Sequence, residues 1–115
     1  MTRATDMNRN FSQMITMHCF DLPKLIELIE QWDIQHATTD IIGYKGSRVL
    51  ADRAQVGRYV VIVEFGVVDP EVSAAEEAER NNERPETQAM AAAVAEITHG
   101  PLEYQNFDEV YSTNP

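Results

Sequence analysis

A chain of 115 residues with 43% hydrophobic and 24% charged side chains has room for a single domain with a modest core, and it is too apolar for wholesale disorder. A net charge of −10, with nine scattered lysines and arginines, repels a phosphate backbone and offers no basic stripe for counterion release, which excludes a nucleic-acid partner. One cysteine, Cys19, cannot close an internal disulfide, no basic-then-apolar leader is present, and no apolar run approaches roughly 18 residues, so the expectation is a cytoplasmic protein with no membrane partner.

Residues 1–10 are polar and aperiodic and residues 112–115 carry no pattern, so both ends are expected to fray around one domain over 11–111. The stretch 11–20, FSQMITMHCF, is rich in β-branched, aromatic and sulfur-containing side chains without helical spacing and reads as strand one. Asp21 can cap the helix that follows, and Pro23 is tolerated in its first turn. Leu22, Leu25, Ile26, Ile29, Trp32 and His36 recur at three- and four-residue steps and predict one buried helix face to about Thr38.

After Asp40, IIGYKGSRVLAD predicts strand two, bent or bulged at Gly43 or Gly46. Strand three, RYVVIVEF at 58–65, is apolar on both parities, with Tyr59, Val61, Val63 and Phe65 on one face and Val60 and Ile62 on the other. Asp69-Pro70 and the box Ser73-Ala74-Ala75-Glu76 start a second helix, which breaks before Pro85, resumes through Met90, Val94 and Ile97, and stops at Gly100-Pro101. Residues 102–111 form the last strand.

The order β-α-β-β-α-β is the α+β, ferredoxin-like split unit, in which helices cover one face of an antiparallel four-stranded sheet. The second apolar face of strand three then needs another sheet, and a second copy of the chain is the simplest source. The expected assembly is a homodimer, a dimeric α/β barrel.

Three blocks, GYKGSRVLADR at 43–53, RYVVIVEF at 58–65 and ERNNERPETQA at 79–89, resemble in pattern the dimeric α/β barrel superfamily, and within it the antibiotic-biosynthesis-monooxygenase branch. The resemblance implies a ligand pocket in each subunit between sheet and helices, where some members oxidise aromatic quinols without a cofactor and others degrade haem. It also implies chemistry at an asparagine on strand one, a tryptophan ending strand three and, for haem degradation, a histidine on the second helix. Here those places fall near Met14, at Phe65, and around Thr87 and Gln88, where no histidine stands. Haem degradation is therefore not expected, and the expected cofactor is none.

Strand alternation groups His18 with Met14 and Thr16 on the face that the resemblance turns toward the pocket. His18 is there the candidate catalytic base, the alternative being a histidine merely hydrogen-bonded at a strand end. Trp32 and Phe65 join the candidate ligand-binding set, Trp32 equally as a core residue on the apolar helix stripe. Asn82, at the helix break, belongs to a lid or to a solvated kink, and Thr87 and Met90 are candidate pocket wall. His36 and His99 sit near helix C-termini, where the dipole explains them, and no histidine or cysteine stands at metal-ligand spacing. Glu64 shares the face of Val60 and Ile62 and is expected to pair with Arg48 or Arg58. Three functions follow: cofactor-independent oxygenation of an aromatic or polyketide-like molecule, binding of a small aromatic or apolar ligand without reaction, or dimeric interaction with a filled pocket.

Overall fold

Residues 10–36, 44–66 and 74–113 are described by the computed structural model. The expectations placed on residues 1–9, on the lead into strand two up to Gly43, and on the Asp69-Pro70 and Ser73 start signals lie outside them. Within them the chain runs β1 (Phe11–Cys19), α1 (Leu22–His36), β2 (Tyr44–Ala51), β3 (Arg58–Phe65), α2 (Ala74–Asn82), α3 (Pro85–Ala95) and β4 (Thr98–Asp108). The strands form one antiparallel sheet in the order β2-β3-β1-β4. This is the ferredoxin-like arrangement, with its second helix in two pieces. No helix among the described residues is long and apolar enough to cross a membrane.

Asp21 caps α1 as its position suggests: its carboxylate accepts from the Lys24 amide at 3.1 Å, while its carbonyl accepts from the Leu25 amide. The buried stripe is Leu25, Ile29 and Trp32, flanked by the half-buried Leu22 and Leu28. Ile26, expected in that stripe, is exposed, because each step of about 100° carries it off the line that Leu25 and Ile29 define. The split between α2 and α3 follows from Pro85. Arg84 before it is extended, with φ −74° and ψ 141°, and its carbonyl accepts the Thr87 and Gln88 amides that open α3. Arg84 also pairs with Glu86 across the break.

On β3, Val61, Val63 and Phe65 are buried beneath the helices, with Ala74 and Ala78 of α2 small enough to lie against the same core. Cys19 is buried as a small apolar side chain, and its sulfur accepts from the Asp21 amide at 3.4 Å. Arg58 pairs with Asp52 across the β2–β3 turn at 2.6 Å, and this overturns the expected partnership of Arg58 with Glu64. The Asp52 carboxyl is held below the usual carboxylate range, chiefly by the Ala54 amide it accepts and next by Arg58.

The last strand starts earlier than its sequence suggests. β4 opens at Thr98, ahead of Gly100-Pro101, and ends at Asp108, so His99 lies in a strand rather than at a helix terminus. Gly100 takes φ +73° and the register against β1 shifts between Thr16 and His18, a bulge that carries the chain past the proline. β4 lies at the sheet margin, where a missing N–H is tolerated.

Candidate functional site

The helices do not pack flush on the sheet. Between them is a cavity of about 470 Å³, within the range of small-molecule sites. Its floor is one parity of the central strands: Gln13, Ile15 and Met17 of β1, paired across the ladder with Val63, Val61 and Tyr59, of which the two valines line the cavity. Leu25, Ile29 and Trp32 form one wall, and Thr87, Met90 and Val94 of α3 form the other. The exposed lining residues Asn82, Gln88 and Tyr104 mark the solvent side. The described lining holds no histidine, aspartate, glutamate, lysine or arginine.

Trp32, only 4% exposed, anchors the two walls to each other by donating from Nε1 to Thr87 Oγ1 at 3.1 Å. Its ring meets that of Tyr44 edge-on at 4.8 Å, and Tyr44 in turn meets Phe65 at 5.8 Å. Tyr44 reaches this position through an irregularity in β2. Tyr44 stands opposite Phe65 and Gly46 opposite Glu64, so Lys45 is an extra residue in the ladder. Strict alternation from Ser47 would send Tyr44 to the far face; the extra residue returns it to the same face as Ser47. Gly46, at φ +154°, supplies the backbone freedom.

The Tyr44 hydroxyl donates to Asp33 Oδ1 at 2.7 Å and lies 2.8 Å from Ser47 Oγ. Burial pushes the phenol above its ordinary range; the Ser47 contact acts in the opposite sense, and Asp33 adds to the rise. Ser47 lines the cavity, whereas Asp33 is exposed on α1.

Of the residues expected at the site, Trp32, Asn82, Thr87 and Met90 stand in the cavity lining. Phe65 does not: it is 1% exposed, in the core against Tyr44. Met14, Thr16 and His18 are on the opposite sheet face, which corrects the face assigned to them. They pair with Ile62, Val60 and Arg58, the parity of β3 turned away from the helices. His18 is exposed there, so the geometric ground for making it the base at the pocket is removed. Sequence reasoning missed Gln13, Ile15, Met17, Ser47 and Tyr104. The signal for the first three was available: Phe11, Ile15, Met17 and Cys19 make the odd parity of β1 the more apolar one, and its odd face should have been matched to that of Val61 and Val63. Among the described residues, no three histidine, cysteine, aspartate or glutamate side chains come together as a metal site would require.

Fold and cavity together define a ferredoxin-like α+β domain with a pocket between sheet and helices, a fold shared with solved structures of antibiotic biosynthesis monooxygenases. A single-site variant of SnoaB, a cofactor-independent oxygenase from Streptomyces nogalater, superposes with a TM-score of 0.69 at 12% identity, over 94% of this chain and 99% of that one. A protein of Caulobacter crescentus, provisionally assigned as an antibiotic biosynthesis monooxygenase, gives 0.71 at 11% identity over 93% and 95%. Rv0793 from Mycobacterium tuberculosis gives 0.64 at 10% identity over 91% and 99%. At these identities the likeness is one of fold. No protein-family model matches the sequence, and no curated protein matches it.

Proposed function

We propose that the domain is a cofactor-independent monooxygenase of a neutral aromatic or polyketide-like molecule bound between the sheet and the helices. The observation that carries this reading is the cavity of about 470 Å³, apolar over most of its lining and without a charged side chain among the described lining residues. An ionised ligand would lose its hydration there with no counter-charge in return, whereas a flat neutral one gains from burial. The likeness of fold to SnoaB, a cofactor-independent oxygenase, supports the reaction class.

In such a reaction the substrate supplies the electrons. A ring CH₂ activated by a neighbouring phenol loses a proton, and the resulting carbanion gives an electron pair to O₂. One oxygen atom stays on carbon as a carbonyl and the other leaves as water with the two displaced hydrogens. Oxygen uptake with an anthrone-type substrate, with the quinone product followed by absorbance, tests the reading. Stoichiometric binding of that substrate without oxygen uptake would overturn it in favour of a binding protein. That second reading is favoured by one observation: among the described lining residues there is no histidine or carboxylate to take the proton directly.

The assembly proposed is a homodimer, joined through the sheet face that carries no helices. Leu50 and Phe107 of that face are 44% and 46% exposed, and a facing sheet would cover them. Light scattering at micromolar concentration reads the outcome directly, and a monomer removes the barrel.

A further inference from the structure

We propose that Ser47, Tyr44 and Asp33 form a proton relay that carries the hydroxyl proton of a cavity-bound phenol to the protein surface. The inference rests on the cavity being a ligand site and supplies what its described lining residues lack, a path to a base. Ser47 lines the cavity, Tyr44 Oη lies 2.8 Å from Ser47 Oγ, and Asp33 Oδ1 lies 2.7 Å beyond. The direction of the chain is set by chemistry. An ionised carboxylate can only accept, so the single Tyr44 proton points to Asp33, and the Ser47 proton points to Tyr44. The lone pairs of Ser47 are then left to accept from a ligand hydroxyl.

Transfer runs in one sense. The ligand O–H breaks as its proton passes to Ser47 Oγ, the Ser47 proton passes to Tyr44 Oη, and the Tyr44 proton passes to Asp33. Each O–H bond that breaks is replaced by one that forms, and no electrons move. Asp33 is exposed and releases the proton to water, leaving a phenolate that accepts a hydrogen bond from Ser47. Tyr44 acts as a positioned neutral carrier, and its raised pKa suits that part, because a tyrosinate would abolish the donor to Asp33. The packing holds the carrier in place. Trp32 and Phe65 flank its ring, and the extra Lys45 residue in β2 puts it on the face of Ser47.

The test uses the whole chain and β-naphthol, an apolar phenol whose acidity rises steeply on excitation. Binding is read by quenching of Trp32, the only tryptophan in the chain. Proton loss is read separately, as naphtholate emission after excitation beyond the tryptophan absorption edge. The wild-type chain should show naphtholate emission from the bound probe. Tyr44→Phe, which keeps the ring packing, and Asp33→Asn, at an exposed position, should quench Trp32 as wild type does but emit as neutral naphthol. Asp33→Glu should restore the naphtholate band. Binding with neutral emission in wild type, or undiminished naphtholate emission in Tyr44→Phe, would overturn the relay while leaving the cavity reading intact. Absence of Trp32 quenching would overturn the cavity reading and the relay with it.

Discussion

The two faces of the sheet are built from the same strands yet stand in different conditions. On one, Ile15, Met17, Val61 and Val63 lie under the helices, which leave the cavity between them. On the other, Met14, Thr16, Val60 and Ile62 form the centre, with Arg48 and His18 among them, and the described helices lie on the opposite side. That face is less bare than strand three alone suggests. Thr16 and Ile62 are already buried in the single chain, contrary to the expectation that Ile62 faces water, and the exposed apolar area is at the flanks, on Leu50 of β2 and Phe107 of β4. One parity thus holds the core and the cavity, and the other is the face through which the proposed dimer would form.

The strongest challenge to that division is Leu25→Ala. Leu25 has no exposed surface and borders the cavity, so the substitution should cost about 2–5 kcal/mol of stability in chemical denaturation. A protein that keeps its denaturation midpoint would show that α1 is not held to the sheet as described. On the far face, Phe107→Lys should leave the fold intact and weaken the proposed dimer by about 2 kcal/mol, seen as dissociation on dilution in sedimentation. If it unfolds the chain instead, the two faces are not separable.

Gly46→Ala probes the irregularity that serves the helix face. An added Cβ would meet no atom within 4 Å, so its cost is backbone strain alone, about 1–3 kcal/mol, with the Tyr44 phenol returned toward ordinary acidity in an alkaline spectrophotometric titration. His18→Ala, on the opposite face, should change stability by less than about 0.5 kcal/mol and leave ligand quenching of Trp32 unchanged. Loss of quenching there would restore His18 to the site.

The smallest effect concerns pH. Asp52 has a folded pKa below its unfolded value, so its contribution is whole above the ordinary aspartate pKa of about 3.9 and is lost as pH falls through the lower folded value. Asp52→Asn should therefore reduce the stability difference between neutral and acid solution only below about pH 4. Stability at neutral pH falls by the lost contribution, but a change in its slope with pH in the neutral range would contradict the assignment.

Much of the fold was legible because its signals are local. The span of β3, the Asp21 cap and the break at Pro85 follow from side-chain type and the restrictions of proline, and all are found as read. The start of β4 was not, because Gly100-Pro101 ends a helix as readily as it makes a bulge in a marginal strand, and only the pairing with β1 decides. The site was half legible. Trp32, Thr87 and Met90 follow helical spacing, which survives without knowledge of partners. Met14, Thr16 and His18 were assigned to the wrong face because a strand with apolar side chains on both parities does not declare its inner side until its neighbour is fixed. Tyr44 and Ser47 were hidden more deeply: the glycines announced a bulge in strand two and it is found at Gly46, but that Lys45 is the extra residue, which puts Tyr44 on the face of Ser47, is fixed only by the pairing with β3.

Pro101 also affects how this sheet meets other chains. An open sheet ends in two rows of backbone groups, and a long, regular row is a template for strand addition and fibrous growth. β4 is one such margin, 11 residues long, yet its row is interrupted near its start, at its fourth residue, by a proline without an N–H and by the bulge at Gly100 beside it. A foreign strand approaching there can pair along the regular part from Glu103 to Asp108 but not continuously through Gly100-Pro101 to Thr98. The feature that obscures the start of the strand in the sequence thereby shortens the row open to strand addition, independent of anything the cavity does.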